Sequence, residues 1–175
     1  VPVTAAVSAS TNEDTAKTIT LSASDVEGSS LTYSIVSNPS NGSLGSVSGT
    51  SVVYTPTANW NGTDTFTYKS NDGTADGNTA TVTVTVAAVN DVPVTAAVSA
   101  STNEDTAKTI TLSATDVEGS SLTYSIVSNP SNGSLGSVSG TSVVYTPTAN
   151  WNGTDTFTYK SNDGTADGST ATVTV

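Results

Sequence analysis

The chain has 175 residues, with 4 Lys and Arg against 15 Asp and Glu, for a formal net charge of −11. A surface this acidic repels nucleic acid and anionic lipid and attracts cations. Cys, Met and His are absent, which excludes thiolate and imidazole catalysis, a Ser-His-Asp triad, the usual zinc sites and disulfide bonding.

Charge is sparse, while Thr, Ser, Val and Gly are abundant and good helix formers are few, so an all-β protein is expected. Seven short strands are predicted in the first half, at 3–8, 17–24, 31–36, 43–47, 51–55, 64–70 and 79–87. Period-2 alternation supports them. It puts Ile19, Leu21 and Ala23 on one face, then Leu31, Tyr33 and Ile35, Val52 and Tyr54, Phe66 and Tyr68, and Val82, Val84 and Val86. Turn pairs lie between them: Asn41-Gly42, Asn61-Gly62, Asp72-Gly73 and Asp76-Gly77. Pro39 and Pro56 mark strand ends or edges. Trp60 is expected to plug one end of the core, and "DTFTY" has the spacing of a tyrosine corner centred on Tyr68. Seven strands in this length predict an immunoglobulin-like β-sandwich. No apolar run reaches the ~20 residues of a membrane helix, so membrane insertion is not expected. No secretory leader is legible either, and the chain reads as two units of a longer array.

The second half repeats the first. Residues 1–84 match 92–175 except where Ser24 faces Thr115 and Asn78 faces Ser169. The units are domain-sized, so the expectation is two tandem seven-stranded sandwiches in an elongated arrangement, spanning 1–88 and 92–175 with a linker at 89–91.

The acids all fall in connections or at strand ends. Connections in such a sandwich alternate between its two poles. Glu13, Asp14 and Asp64 are therefore expected at the C-terminal pole of the first unit, beside Asn90 and Asp91. Asp116, Glu118, Asp163 and, as a secondary candidate, Asp167 are expected at the N-terminal pole of the second unit, facing that joint. Like charges gathered at a few ångströms cost about 1 kcal/mol per pair in water and several times more when partly buried, so the cluster calls for a cation. Hard oxygen donors suit Ca²⁺, which takes about 6–8 oxygens. Asp25, Glu27 and Asp72 form a half-site at the outer pole of the first unit, and Glu104 belongs to another at the outer pole of the second. The "DVEG" of the second unit is expected to hold its ion more tightly than that of the first. "DGTADG" does not fit an EF-hand loop, since it lacks the ligand spacing and the terminal Glu.

"NEDTAKTITLSASDVEGSSLTYSI", "YTPTANWNGTDTFTYKSNDG" and "ATVTVTVAAVNDVP" together resemble the bacterial Ig-like and cadherin-like tandem repeats of large surface and secreted adhesins. The resemblance covers nearly all of each unit. It implies that Glu13 plays the part of the cadherin glutamate ending the first strand, and Asn90-Asp91 that of the cadherin linker Asn-Asp. Asp116 and Glu118 correspond to the Asp-x-Asp after the second strand, with Glu in place of the second Asp. Asp163 corresponds to the Asp ending the sixth strand. The cadherin Asp-Arg-Glu motif has no counterpart in "NWNGTD", where Asn61 or Asp64 would substitute, and one or two ions per joint are expected.

Three functions follow as expectations. The first is a calcium-stiffened spacer in an extracellular or cell-surface bacterial adhesin, whose partners are the neighbouring repeats of the same chain. The second is an adhesive module binding a glycan or another cell surface, through Trp60 or the outward Thr array. The third is self-association into a fibre through edge strands. An enzyme is not expected, because the paired carboxylates sit at poles without an aromatic-lined cleft and recur in each copy.

Overall fold

The computed structural model describes residues 1–175 and is all-β. No helix is long and apolar enough to cross a membrane. The chain divides into two units, Val1–Val89 and Asn90–Val175.

Unit 1 contains β1 (Val3–Thr4), β2 (Val7–Asn12), β3 (Lys17–Thr20), β4 (Ala23–Ser24), β5 (Thr32–Ser37), β6 (Gly42–Leu44), β7 (Ser51–Pro56), β8 (Gly62–Asn71) and β9 (Ala80–Ala87). A four-stranded sheet runs β2-β9-β8-β5, and a three-stranded sheet runs β3-β7-β6. The first and second predicted strands are each broken in two. Their outer pieces β1 and β4 pair with each other, Val3 opposite Ser24 and Thr4 opposite Ala23. After the break, β2 runs parallel to β9, with Val7 opposite Val82 and Asn12 opposite Ala87.

The alternating residues form the core. Ile19, Leu21, Val52, Tyr54, Phe66, Tyr68, Val82, Val84 and Val86 are buried in one cluster that draws on both sheets, and Trp60 packs against it. Tyr68 explains the broken strands. Its hydroxyl lies 2.5 Å from the carbonyl oxygen of Ala5 and 2.8 Å from that of Ser22, and it accepts the Ser22 N–H at 3.1 Å. Ala5 and Ser22 are the break points of the two strands; the Ala5 N–H still donates to the Ser22 carbonyl at 2.9 Å, and the phenol serves the Ala5 carbonyl and the Ser22 N–H. This differs from the expected tyrosine corner, whose hydroxyl reaches only a few residues back along the chain. Nearby, the hydroxyls of Thr4 and Ser70 pair at 2.8 Å in the interior. A Cβ on Gly77 would meet the Pro2 carbonyl oxygen at 2.7 Å and the Ser70 hydroxyl at 2.8 Å, so this glycine is needed for close approach.

Unit 2 repeats the plan with β10 (Val94–Thr95), β11 (Val98–Ser99), β12 (Lys108–Thr111), β13 (Ala114–Thr115), β14 (Thr123–Ser128), β15 (Gly133–Leu135), β16 (Ser142–Pro147), β17 (Thr156–Asn162) and β18 (Ala171–Thr174). Its sheets run β11-β18-β17-β14 and β12-β16-β15. The substitution at 78 has a local cost. Asn78 accepts the Thr4 N–H and returns a bond to the Thr4 carbonyl, at 2.9 and 3.0 Å. Ser169, its counterpart, has no amide with which to make that reciprocal pair.

Candidate functional site

The N-terminal pole of each unit brings together the loop after the second strand and the turn after the sixth. In unit 1, Asp25 Oδ1 accepts the Ser29 N–H at 3.0 Å, which closes the "DVEG" turn. Asp72 Oδ1 accepts the N–H groups of Thr74 and Ala75 at 2.8 and 2.7 Å. Each carboxylate thus uses one oxygen to build its own loop. The second oxygens both approach the Val1 ammonium, at 3.9 Å for Asp25 and 3.5 Å for Asp72. The Asp25 side chain is only 2% exposed and that of Asp72 10%. Both carboxyls are held below the ordinary range. The Ser29 amide is the main cause for Asp25 and the Ala75 and Thr74 amides for Asp72, with the ammonium adding to each. Glu27, the third member of the expected half-site, is exposed.

In unit 2, Asp116 Oδ1 accepts the Ser120 N–H at 2.7 Å. Its Oδ2 is buried and has no hydrogen-bond partner. Asp163 Oδ1 accepts the amides of Thr165 and Ala166, and its Oδ2 accepts from the Asn90 side-chain amide at 2.8 Å. That Asn90 bond is the leading reason its carboxyl stays below the ordinary range. The Asp91 N–H donates to the Glu118 carboxylate at 3.3 Å. Asn90, Asp91, Glu118 and Asp163 are therefore joined by direct hydrogen bonds, at the pole where Asp116 keeps an orphaned oxygen. No three acidic side chains converge to metal-binding geometry, so the donors do not form a closed cage.

The remaining predicted residues have work inside their own units. Glu13 is buried, and its carboxylate accepts the Val89 N–H at 2.5 Å. Asp14 sits at φ 55° and accepts the Asn59 N–H at 3.0 Å, tying the first and fifth connections together. Asp64 is buried and fully engaged: Oδ1 accepts the Ser40 and Thr65 amides, and Oδ2 accepts the Asn41 amide and the Tyr54 hydroxyl. Its counterpart Asp155 makes the same four bonds. Burial, reinforced by the bond to the carboxylate, pushes the Tyr54 and Tyr145 hydroxyls up to about 12. Asp167 is neutralised by an ion pair with Lys160, as Asp76 is by Lys69. Glu104 is exposed.

The structural role of Asp64 escaped the sequence analysis, although a signal for it exists. Asp64, Phe66, Tyr68 and Ser70 share one parity along β8, and all four are buried. Period 2 places the acid on the inward face, where a carboxylate persists only if hydrogen-bonded.

Three comparisons bear on the fold and its kinship. No curated protein matches the chain. Among solved structures, it is similar to the endo-fucoidan hydrolase MfFcnA4 from glycoside hydrolase family 107, with 24% identity and a TM-score of 0.42 over 99% of this chain and 28% of that one. It is also similar to the extracellular cadherin domains 1-5 of protocadherin gamma B2, with 12% identity and a TM-score of 0.49 over 96% of this chain and 37% of that one. A third similarity is to SGBP-B of the Bacteroides ovatus mixed-linkage glucan utilization locus, solved in complex with a mixed-linkage heptasaccharide, at 13% identity and a TM-score of 0.31, covering 96% of this chain and 42% of that one. The chain thus spans well under half the length of each of these three proteins. The sequence profile of the bacterial Ig domain matches residues 1–85 and again 90–175. With nearly every residue inside one match or the other, the chain belongs to the bacterial Ig domain family and carries two such domains in tandem.

Proposed function

We propose that these domains are spacer repeats of a bacterial cell-surface or secreted adhesin, and that Ca²⁺ bound at the N-terminal pole of a repeat stiffens its junction with the repeat before it. The observation that carries the proposal is the buried, unpartnered Oδ2 of Asp116 within an otherwise hydrogen-bonded group of oxygen donors. A buried carboxylate oxygen without a donor is costly unless a cation compensates it. In unit 1 the equivalent position supports this reading, because Asp25 Oδ2 is likewise buried without a hydrogen-bond donor.

Asp116, Glu118 and Asp163 are the proposed carboxylate ligands, with Asn90 and Asp91 beside them. Glu13 is the proposed contributor from the preceding repeat. The donors are hard oxygens, which fit Ca²⁺ rather than a thiophilic metal. Asp14 and Asp64 are engaged within their own unit, and the proposal does not rest on them. Binding only to the ordered junction stabilises it by mass action.

Small-angle scattering and thermal melting of the chain, with Ca²⁺ and with EGTA, test this. The expected result is a larger maximum dimension and a higher melting temperature with Ca²⁺. Asp116→Asn should reduce calcium uptake more than Asp25→Asn does. Identical scattering and melting in both conditions would refute the proposal.

A further inference from the structure

The two main sheets of unit 1 leave four edge strands, and three of them are blunted. β3 opens on the exposed Lys17, β6 is only three residues long, and β2 lies against β3. Short strands, edge lysines and covered edges are means by which sheets avoid pairing with other chains. The fourth edge, β5, has none of them. It is six residues long, reads "TYSIVS", and ladders with β8 alone. Its surroundings are as distinctive as the strand. The chain carries a net charge of −11, yet no charged residue occurs from Gly28 to Thr63. Across the ladder, Lys69 stands opposite Ser34, and it is neutralised by Asp76. Unit 2 repeats this arrangement with β14, the uncharged run from Gly119 to Thr154, and the Lys160–Asp167 pair.

We infer that β5, like its repeat β14, is a strand-pairing edge whose occupant is the same strand of a second copy of this chain, laid antiparallel about a two-fold axis at Ser34. Alternate residues of an edge strand turn their N–H and C=O groups away from the ladder they already make, and an added antiparallel strand takes them up. The axis at Ser34 sets Tyr33 opposite Ile35 of the second copy and Thr32 opposite its Val36. These are aromatic and β-branched pairs, which favour strand pairing. The faces also agree. Tyr33 and Ile35 are half-buried on the inward side, whereas Thr32, Ser34 and Val36 are exposed on the other. Each residue therefore meets one from its own face, and the half-exposed Val36 gains cover. A shift by one residue would set inward side chains against outward ones, so the register is specified. The bulge between Ile35 and Ser37 ends the regular ladder and confines the pairing to Thr32–Val36. A second copy is favoured over a foreign strand because the sequence is complementary to itself about one point, as a two-fold contact requires. Elsewhere two chains of charge −11 repel, and this edge is where that repulsion is locally absent. The inference is independent of calcium, since none of the proposed ion ligands lies in the uncharged run.

The test is sedimentation of the whole chain in EGTA over a concentration series. The expected result is a reversible rise in mass with concentration. Ser34→Lys together with Ser125→Lys places like charges face to face at each axis and should weaken the association about tenfold or more. Both serines are exposed, so the melting temperature checks that this variant still folds. A second measurement reads the geometry directly. The chain has no cysteine, so Ser34→Cys offers a single thiol that the axis sets opposite itself. Mild oxidation should join two chains through it, and should leave Val53→Cys, an exposed position on the other sheet, monomeric. A mass that stays monomeric at every concentration, undiminished association of the folded lysine variant, or equal cross-linking of the two cysteine variants would each overturn the inference.

Discussion

Replacing Asp64 by Asn keeps the shape of the side chain and removes half of its accepting capacity. Asp64 receives four hydrogen bonds, from the amides of Ser40 at 3.1 Å, Asn41 at 2.9 Å and Thr65 at 2.9 Å, and from the Tyr54 hydroxyl at 3.1 Å. Asn offers one oxygen, and its NH₂ group must face two of those donors. Whichever way the amide turns, two buried donors lose their acceptor. Each stranded group costs about 1–3 kcal/mol, so a loss of about 2–6 kcal/mol is expected. That is a large part of the ~5–15 kcal/mol that stabilises a typical domain. Because the volume is unchanged, no cavity term enters. The near-identity of the units complicates the measurement, so the comparison is made in a Trp151→Phe background, where Trp60 alone reports fluorescence and follows unit 1. Urea unfolding should show the unit 1 midpoint falling with an unchanged slope. A loss under about 1 kcal/mol would refute the reasoning, since it would mean that the four bonds contribute no more than a single neutral one.

Two further outcomes follow from the same interior. Tyr68→Phe should cost about 1–3 kcal/mol, because it leaves the Ser22 N–H and the Ala5 carbonyl without the phenol that serves both; faster hydrogen exchange at the Ser22 amide would check this, and unaltered exchange would contradict it. Tyr54 and Tyr145 hold their protons to about 12 in the folded units, whereas an unfolded Tyr ionises near about 10. The unfolded chain therefore releases these protons first, and stability should fall as pH rises from about 10 towards about 12. A melting temperature that is flat across that window would contradict the assignment.

Strand positions were legible because the apolar residues alternate. Ile19 with Leu21, and Val82 with Val84 and Val86, identify the inward face outright, whereas the adjacent Val52 and Val53 leave it open in "SVVYT" until burial of Val52 and Tyr54 decides it. The break in the first two strands was not legible. It depends on Tyr68 reaching backbone atoms 46 and 63 residues away, and local alternation carries no information at that range. The acids were legible as loop residues, and the N-terminal pole does gather Asn90, Asp91, Glu118 and Asp163 by direct hydrogen bonds. Of their division of labour only the inward place of Asp64 was signalled, by its parity with Phe66 and Tyr68; for the others, composition cannot tell an acid that faces solvent from one that satisfies a turn. Asp64 and Glu13 are buried among backbone donors. Asp116 keeps one buried oxygen free of any donor.

The parallel pairing of β2 with β9 has a mechanical consequence. The chain enters unit 1 ahead of β2 and leaves it after β9, so tension on the chain pulls these two neighbours in opposite directions along their common axis. The rungs from Val7–Val82 to Asn12–Ala87 are then loaded in shear, together rather than one after another. A hairpin peeled from its end surrenders its bonds singly, and so yields at a smaller force. The six-rung ladder of unit 1 is thus placed to resist tension as a whole rather than rung by rung.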